Sequence, residues 1–171
     1  LIVIGASTGG TQAIEQVLTA LPASMPPILV TQHIPAGFSA AFAERLNRIC
    51  QLEVREAKGG ETLRDGLALI APGNFHLLLE KTASGLRTRL DSGPKVCYQR
   101  PSVDVMFASV AQTFGKGVMA VLLTGMGSDG AEGMLGLSQA GAHTIAQDEA
   151  TCVVFGMPRE AIRLGGAKQV L

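Results

Sequence analysis

No sign of charge dominates this chain: 14 Lys plus Arg balance 14 Asp plus Glu over 171 residues, and no basic block occurs. Binding to nucleic acid or to an anionic membrane through bulk charge is therefore not expected. Long apolar runs are also missing. None approaches the ~18 residues of a membrane span, and no secretory leader is visible, so direct membrane insertion is not expected. Cysteine is scarce. Cys50, Cys97 and Cys152 are an odd number and widely spaced, which excludes a disulfide framework or a paired zinc motif and suits reduced thiols in the cytoplasm. The histidines His33, His76 and His143 are too scattered for metal-ligand spacing. No internal repeat or low-complexity segment is present.

Apolar residues make up 47% of the chain and charged residues 16%, the balance of a globular protein. This length predicts one domain over residues 1–171, able to bury about 70% of its unfolded surface. The chain opens on an apolar run without an initiating Met, which reads as a segment of a longer protein.

Many of the 21 glycines stand where an apolar run stops, as at the strand-to-helix turns of α/β proteins. Strands are predicted at 1–5, 28–32, 118–124 and 142–147. Helices are predicted at 10–20, from a Ser39 cap to about Ile49, from a Ser102 cap onward, near 131–140, and over 158–165 with Pro158 in the first turn. The middle differs: 52–57, 67–71, 76–81 and 86–91 are short extended segments. The turn Thr82-Ala83-Ser84-Gly85 makes a hairpin of the last two, and an antiparallel insert is expected there. The stretch from Ser92 to Pro101 has no periodicity and reads as a loop. The expected fold is a three-layer α/β/α arrangement with a mostly parallel, Rossmann-like sheet and a small antiparallel hairpin insert.

Three apolar runs end in residues able to do acyl-transfer chemistry. Leu1–Ile4 leads into Gly5-Ala6-Ser7-Thr8-Gly9-Gly10, Ile28–Val30 into Thr31-Gln32-His33, and Val121–Leu123 into Thr124-Gly125-Met126-Gly127-Ser128-Asp129. If these runs are parallel strands, Ser7, His33 and Asp129 share the carboxyl edge of one sheet, where such sheets bind ligands. A serine becomes a useful nucleophile beside a base that a third group orients.

The glycine-rich opening admits two other readings. As a dinucleotide fingerprint it departs twice, because Ser7 replaces the middle glycine and the second strand ends in Gln32-His33 instead of an acid. As a purely structural feature, Ser7 would cap the helix that begins near Gly10. The G-x-S-x-G spelling would stand the serine exposed on a sharp turn, and on this motif alone the nucleophile and cap readings are even. The chain order Ser7, His33, Asp129 is not the Ser–acid–His order of α/β-hydrolases.

Taken in series, GASTGG, TQHIPAGFS, APGNFHLLLE, QRPSVDVMF, LLTGMGSDGAEGM and AQDEATCVVFGMPREAI resemble the catalytic domain of bacterial chemotaxis protein-glutamate methylesterases, the CheB family. The resemblance runs through essentially the whole chain. It implies Ser7 as nucleophile, His33 as general base and Asp129 as the orienting acid. It further implies hydrolysis of glutamate γ-methyl esters on cytoplasmic chemoreceptor helices with release of methanol, deamidation of certain receptor glutamines, and a receiver domain in the parent chain of two-component signalling. No cofactor or metal is expected. Backbone N–H groups near Thr8 and in the Gly125-Met126-Gly127 turn are the candidates for an oxyanion hole. Arg100, in the RPSVD block, is a candidate substrate contact or a plain surface arginine. Asp104 is read as a helix-dipole carboxylate, Asp148 and Glu149 as loop residues, His76 as a buried or cleft-lining histidine, and His143 as structural on the opposite edge. A nucleotide-binding module and an esterase for small carboxylic esters are the rival functions.

Overall fold

The computed structural model describes residues 1–171. Strands β1 (Ile2–Ala6), β2 (Ile28–Gln32), β3 (Glu53–Glu56), β4 (Leu67–Ile70), β7 (Met119–Leu122), β8 (His143–Ala146) and β9 (Gln169–Val170) form one sheet in the order β3-β4-β2-β1-β7-β8-β9. Every pairing in it is parallel. The central strands β1, β2 and β4 are buried along their whole length, as near-continuous Ile, Val and Leu runs require when both faces are covered. β5 (His76–Thr82) and β6 (Gly85–Asp91) form a separate antiparallel hairpin that closes through Thr82 and Gly85.

Helices α1 (Gly10–Thr19) and α2 (Phe38–Ile49) cover one face through Ile14, Leu18, Phe42 and Leu46. Helices α3 (Val103–Thr113), α4 (Ala131–Gln139) and α5 (Met157–Arg163) cover the other together with the hairpin, around Phe107, Met134 and Met157. This is the expected three-layer fold. The segments at 52–57 and 67–71, read only as short extended runs, join the parallel sheet as β3 and β4. Ser39 does not cap α2: Gly37, at φ +89°, holds that place, while the buried Ser39 hydroxyl donates to Glu56 Oε1 and accepts from Gly73 N–H. A positive φ at the chain entry suits glycine and leaves Ser39 free to tie α2 to two loops.

Chain direction reverses its march across the sheet at β1. The segment after β1 runs outward through β2, and β7 later adds on the other side. Such a switch point leaves a crevice beyond the carboxyl ends of the strands.

Candidate active site

Strand alternation decides where the first two candidates point. Along β1, Ile2, Ile4 and Ala6 face the α1–α2 layer while Val3 faces the other, so Ser7 follows Val3 and Gly5 onto the α3 face. Along β2, Leu29 and Thr31 share that face, Thr31 through its hydroxyl against Met106 Sδ, and His33 follows them. The register pairs Ala6 with Gln32, and His33 N–H donates to Ala6 O at 3.0 Å. Ser7 and His33 are therefore the next pair past the strand ends, on backbones about 4.8 Å apart and on one face.

Asp129 reaches the same place from the loop before α4. Its Oδ2 lies 2.6 Å from His33 Nε2, with the His33 side chain 6% exposed and that of Asp129 2%. Three further donors hold the carboxylate: Val103 N–H to Oδ2 at 2.7 Å, Ser102 Oγ–H to Oδ1 at 2.7 Å, and Asp104 N–H to Oδ1 at 3.0 Å. Ser102 also caps α3 by accepting from Val105 N–H. Burial alone would push the Asp129 carboxyl up. The hydrogen bonds from His33, Asp104 N–H, Ser102 and Val103 N–H outweigh it and hold the group below the usual carboxylate range. An ionised Asp129 only accepts, so His33 donates from Nε2, and in the neutral ring the lone pair sits on Nδ1. That Nδ1 is buried and has no partner.

The Ser7 hydroxyl is not held by any other side chain. The N-cap of α1 is Gly9, at φ +80° and without a side-chain cap bond, so the Ser7 hydroxyl is not committed to capping. Its backbone is fixed instead: Ser7 N–H donates to Thr124 O at 3.0 Å, and Ser7 O accepts from Gly10 N–H at 2.8 Å. The turn after β7 presses on the residue directly, since a Cβ on Gly125 would lie 2.8 Å from Ser7 Cβ. Thr8, Met126 and Gly127 are exposed beside it, and their backbone N–H groups donate to no protein acceptor. These are the donors an oxyanion needs.

Two clefts open on His33. One, of about 250 Å³, runs along Met126, Gly127 and Asp129. The other, of about 420 Å³, runs past Pro35, Asn74, Lys95 and Arg100. Tyr98 and Gln99 border both. Val96 and Gln99 close a two-residue turn by mutual backbone bonds, with Cys97 at φ +49° and Tyr98 at φ +64°. A turn of that hand normally takes Asn-Gly, and here it holds a strained pair that projects Tyr98 at 93% exposure. Sequence reading gave only a loop at 92–101, because nothing in composition reveals the sign of φ.

Other residues fall into place. The Arg100 guanidinium donates to the carbonyls of Ser92 and Gly93 at 2.8 Å and to Asn74 Oδ1 at 2.7 Å, bracing the loop that walls the cleft. His76 is buried, its Nδ1 accepting from Ser102 N–H and its Nε2 facing Pro94 O. His143 lies exposed on the far edge, against Gln169. Asp148 closes a turn with Thr151. Asp104 lies in the first turn of α3, as read, and its Oδ1 also accepts from Gly133 N–H, tying α3 to α4. Cys97 Sγ and oxygens of Asp104 and Asp129 lie within 4.8 Å of one another. All four acceptor positions of Asp129 are already used, so that carboxylate is built to hold His33 and not an ion.

The CheB methylesterase family model matches residues 2–171. The chain belongs to that family. A protein-glutamate methylesterase/protein-glutamine glutaminase from Methylobacillus flagellatus is 58% identical over 170 residues, 99% of this chain and 48% of that protein. One of the same name from Salmonella typhimurium is 56% identical over 171 residues, all of this chain and 49% of that protein. The chain thus spans about half the length of these relatives. Among solved structures, the CheB methylesterase catalytic domain of Thermotoga maritima superposes with a TM-score of 0.96 at 42% identity, covering 99% of this chain and 90% of that one. Residues 1–171 therefore carry a CheB methylesterase fold.

Proposed function

We propose that residues 1–171 are the catalytic domain of a protein-glutamate methylesterase, a serine hydrolase acting on γ-methyl esters of chemoreceptor glutamates. The carrying observation is the buried His33 ring, held at Nε2 by Asp129 and presenting an unpartnered Nδ1 on the face shared with Ser7. His33 takes the Ser7 proton through Nδ1 as the hydroxyl attacks the ester carbonyl. The tetrahedral oxyanion is met by N–H groups of Thr8, Met126 and Gly127, each donor worth roughly 10²–10³-fold in rate. His33 returns the proton to the leaving methoxide, methanol departs, and water attacks the glutamyl-enzyme with His33 again as base. Asp129 fixes the tautomer and stabilises the imidazolium. No step calls for a cofactor.

The relatives' shared name supports the substrate class, and it supports deamidation of receptor glutamines by the same nucleophile with ammonia as leaving group. Their length, about twice that of this chain, supports a further domain in the parent protein, a receiver of two-component signalling. Partners are the methylated cytoplasmic helices of chemoreceptors, which places the reaction in the cytoplasm. No helix is long and apolar enough to cross a membrane.

Methanol release from methyl-esterified receptor fragments, wild type beside Ser7→Ala, tests this reading. Release that falls by about 10⁴–10⁶ in the variant supports it. Labelling by a fluorophosphonate without methanol release would instead point to a small-ester substrate. Neither labelling nor release would overturn the serine mechanism and leave a binding role.

A further inference from the structure

We infer that Gln32 is a positioning residue, a side-chain rung that locks the nucleophile and base segments together beyond the end of the sheet. The inference rests on the serine-hydrolase reading above. The β1–β2 ladder closes at Ala6 and Gln32, with His33 N–H on Ala6 O as its last bond. Past that point no backbone hydrogen bond joins Ser7 to His33, since Ser7 N–H donates to Thr124 O instead. The Gln32 amide takes over. Its Nε2 donates to Ser7 O at 2.9 Å and to His33 O at 3.0 Å. One planar NH₂ group thus bridges the carbonyls of both residues.

The surroundings are built around this amide. Gln32 is 3% exposed and points away from the cleft, on the face opposite His33, so it touches no substrate. A Cβ on Gly10 would overlap Gln32 Oε1 and stand 2.6 Å from Ala6 Cβ, so the second glycine of the opening turn makes room for the head group. Oε1 has no hydrogen-bond partner and is buried against the first residue of α1. There the positive end of the helix dipole favours the partial negative charge of an amide oxygen. An acidic residue at the same place would be repelled by the two carbonyls it faces, and a hydroxyl would be too short to reach both.

Gln32→Met keeps the length and volume and removes both donors. In Gln32→Met, kcat for a small aryl ester and the rate of fluorophosphonate labelling fall together by about 10–100-fold, the cost of an ångström-scale misplacement of reacting groups. KM stays within about threefold, since no substrate contact is lost. Gln32→Asn keeps a neutral amide that is one methylene too short to span both carbonyls. It gives an intermediate loss and carries the test if Gln32→Met does not fold. Wild-type kcat and labelling in these variants overturn the proposal. So does a loss that vanishes when rates are expressed per folded molecule, because Gln32 would then serve stability alone. A wild-type protein that takes no label overturns the serine-hydrolase reading, and this proposal with it.

Discussion

Gly5 and Val103 set how closely α3 approaches the sheet. A Cβ on Gly5 would overlap Val103 Cγ1 and lie 2.9 Å from Cγ2. The missing side chain lets the first turn of α3 settle over β1, so that Val103 N–H and Asp104 N–H both reach Asp129. Gly5→Ala forces the helix outward. The substitution costs about 1–3 kcal/mol as overpacking of a buried site. Because the carboxylate loses its donors, ester hydrolysis per folded molecule falls as well. Denaturant unfolding and a hydrolysis assay on the same preparation separate the two effects.

Asp129 has its own signature. In Asp129→Asn one carboxylate oxygen becomes a donor, facing either the α3 N–H groups or His33. The His33 tautomer then reverses or its ring turns, and kcat falls by about 10⁴. Ser102→Ala is milder, because it removes one donor to Asp129 and the α3 cap, a loss of about 1 kcal/mol in stability. The Asp129 carboxyl is held below its ordinary value of 3.8. Its contribution to stability is therefore present above that value and lost as pH falls through the lower folded one. Acid unfolding of Asp129→Asn compared with wild type reads that term directly.

The three candidate residues were legible because each ends an apolar run. In a parallel sheet all such ends gather at one edge, so run endings predict neighbours without the strand order being known. The face on which Ser7 and His33 project was not legible, because β1 and β2 are apolar and buried on both faces. The rest depended on contacts that one strand cannot announce. The segments now seen as β3 and β4 look, as short extended runs between Gly and Pro, no different from hairpin strands. Only the parallel register of β4 with β2 and of β3 with β4 separates them. Gln32 read simply as a residue that was not an acid, since its two acceptors come from different strands. Asp104 resembled any first-turn carboxylate until α4 supplied Gly133 N–H. The two-residue β9 was too short to register.

Asp104 predicts a pH effect of the opposite sign to Asp129. Burial pushes its carboxyl from 3.8 up to about 6, and the Asp129 charge adds to this, against the N–H groups of Gly133 and Gly130. A carboxyl raised on folding binds its proton more tightly in the folded chain. Stability from this group is full below the unfolded value and declines as pH rises from about 4 to about 6. Asp104→Asn keeps the acceptor for Gly133 N–H and removes the titration. Its Tm exceeds the wild type by about 2–6 °C at pH 7.5, the effect being moderated because part of the carboxyl remains solvated. The difference closes by pH 4. A Tm difference independent of pH would refute this assignment.

Arg100 braces the cleft wall in a way that lysine cannot copy. Its fork spans the carbonyls of Ser92 and Gly93 on one side and Asn74 Oδ1 on the other, so the loop carrying Lys95, Cys97 and Tyr98 is pinned to the turn before β5. A lysine ammonium provides a point charge without that planar reach. Arg100→Lys and Arg100→Ala should therefore behave alike. Each loosens the loop, raises KM for a receptor fragment by roughly 5–50-fold, and leaves kcat for a small aryl ester near wild type, because His33 and Asp129 are held by other elements. If the charge itself meets an acidic substrate, Arg100→Lys instead keeps a low KM while Arg100→Ala loses it. Amide exchange in residues 92–99 distinguishes the mechanisms independently, since only a bracing role makes both variants exchange faster there.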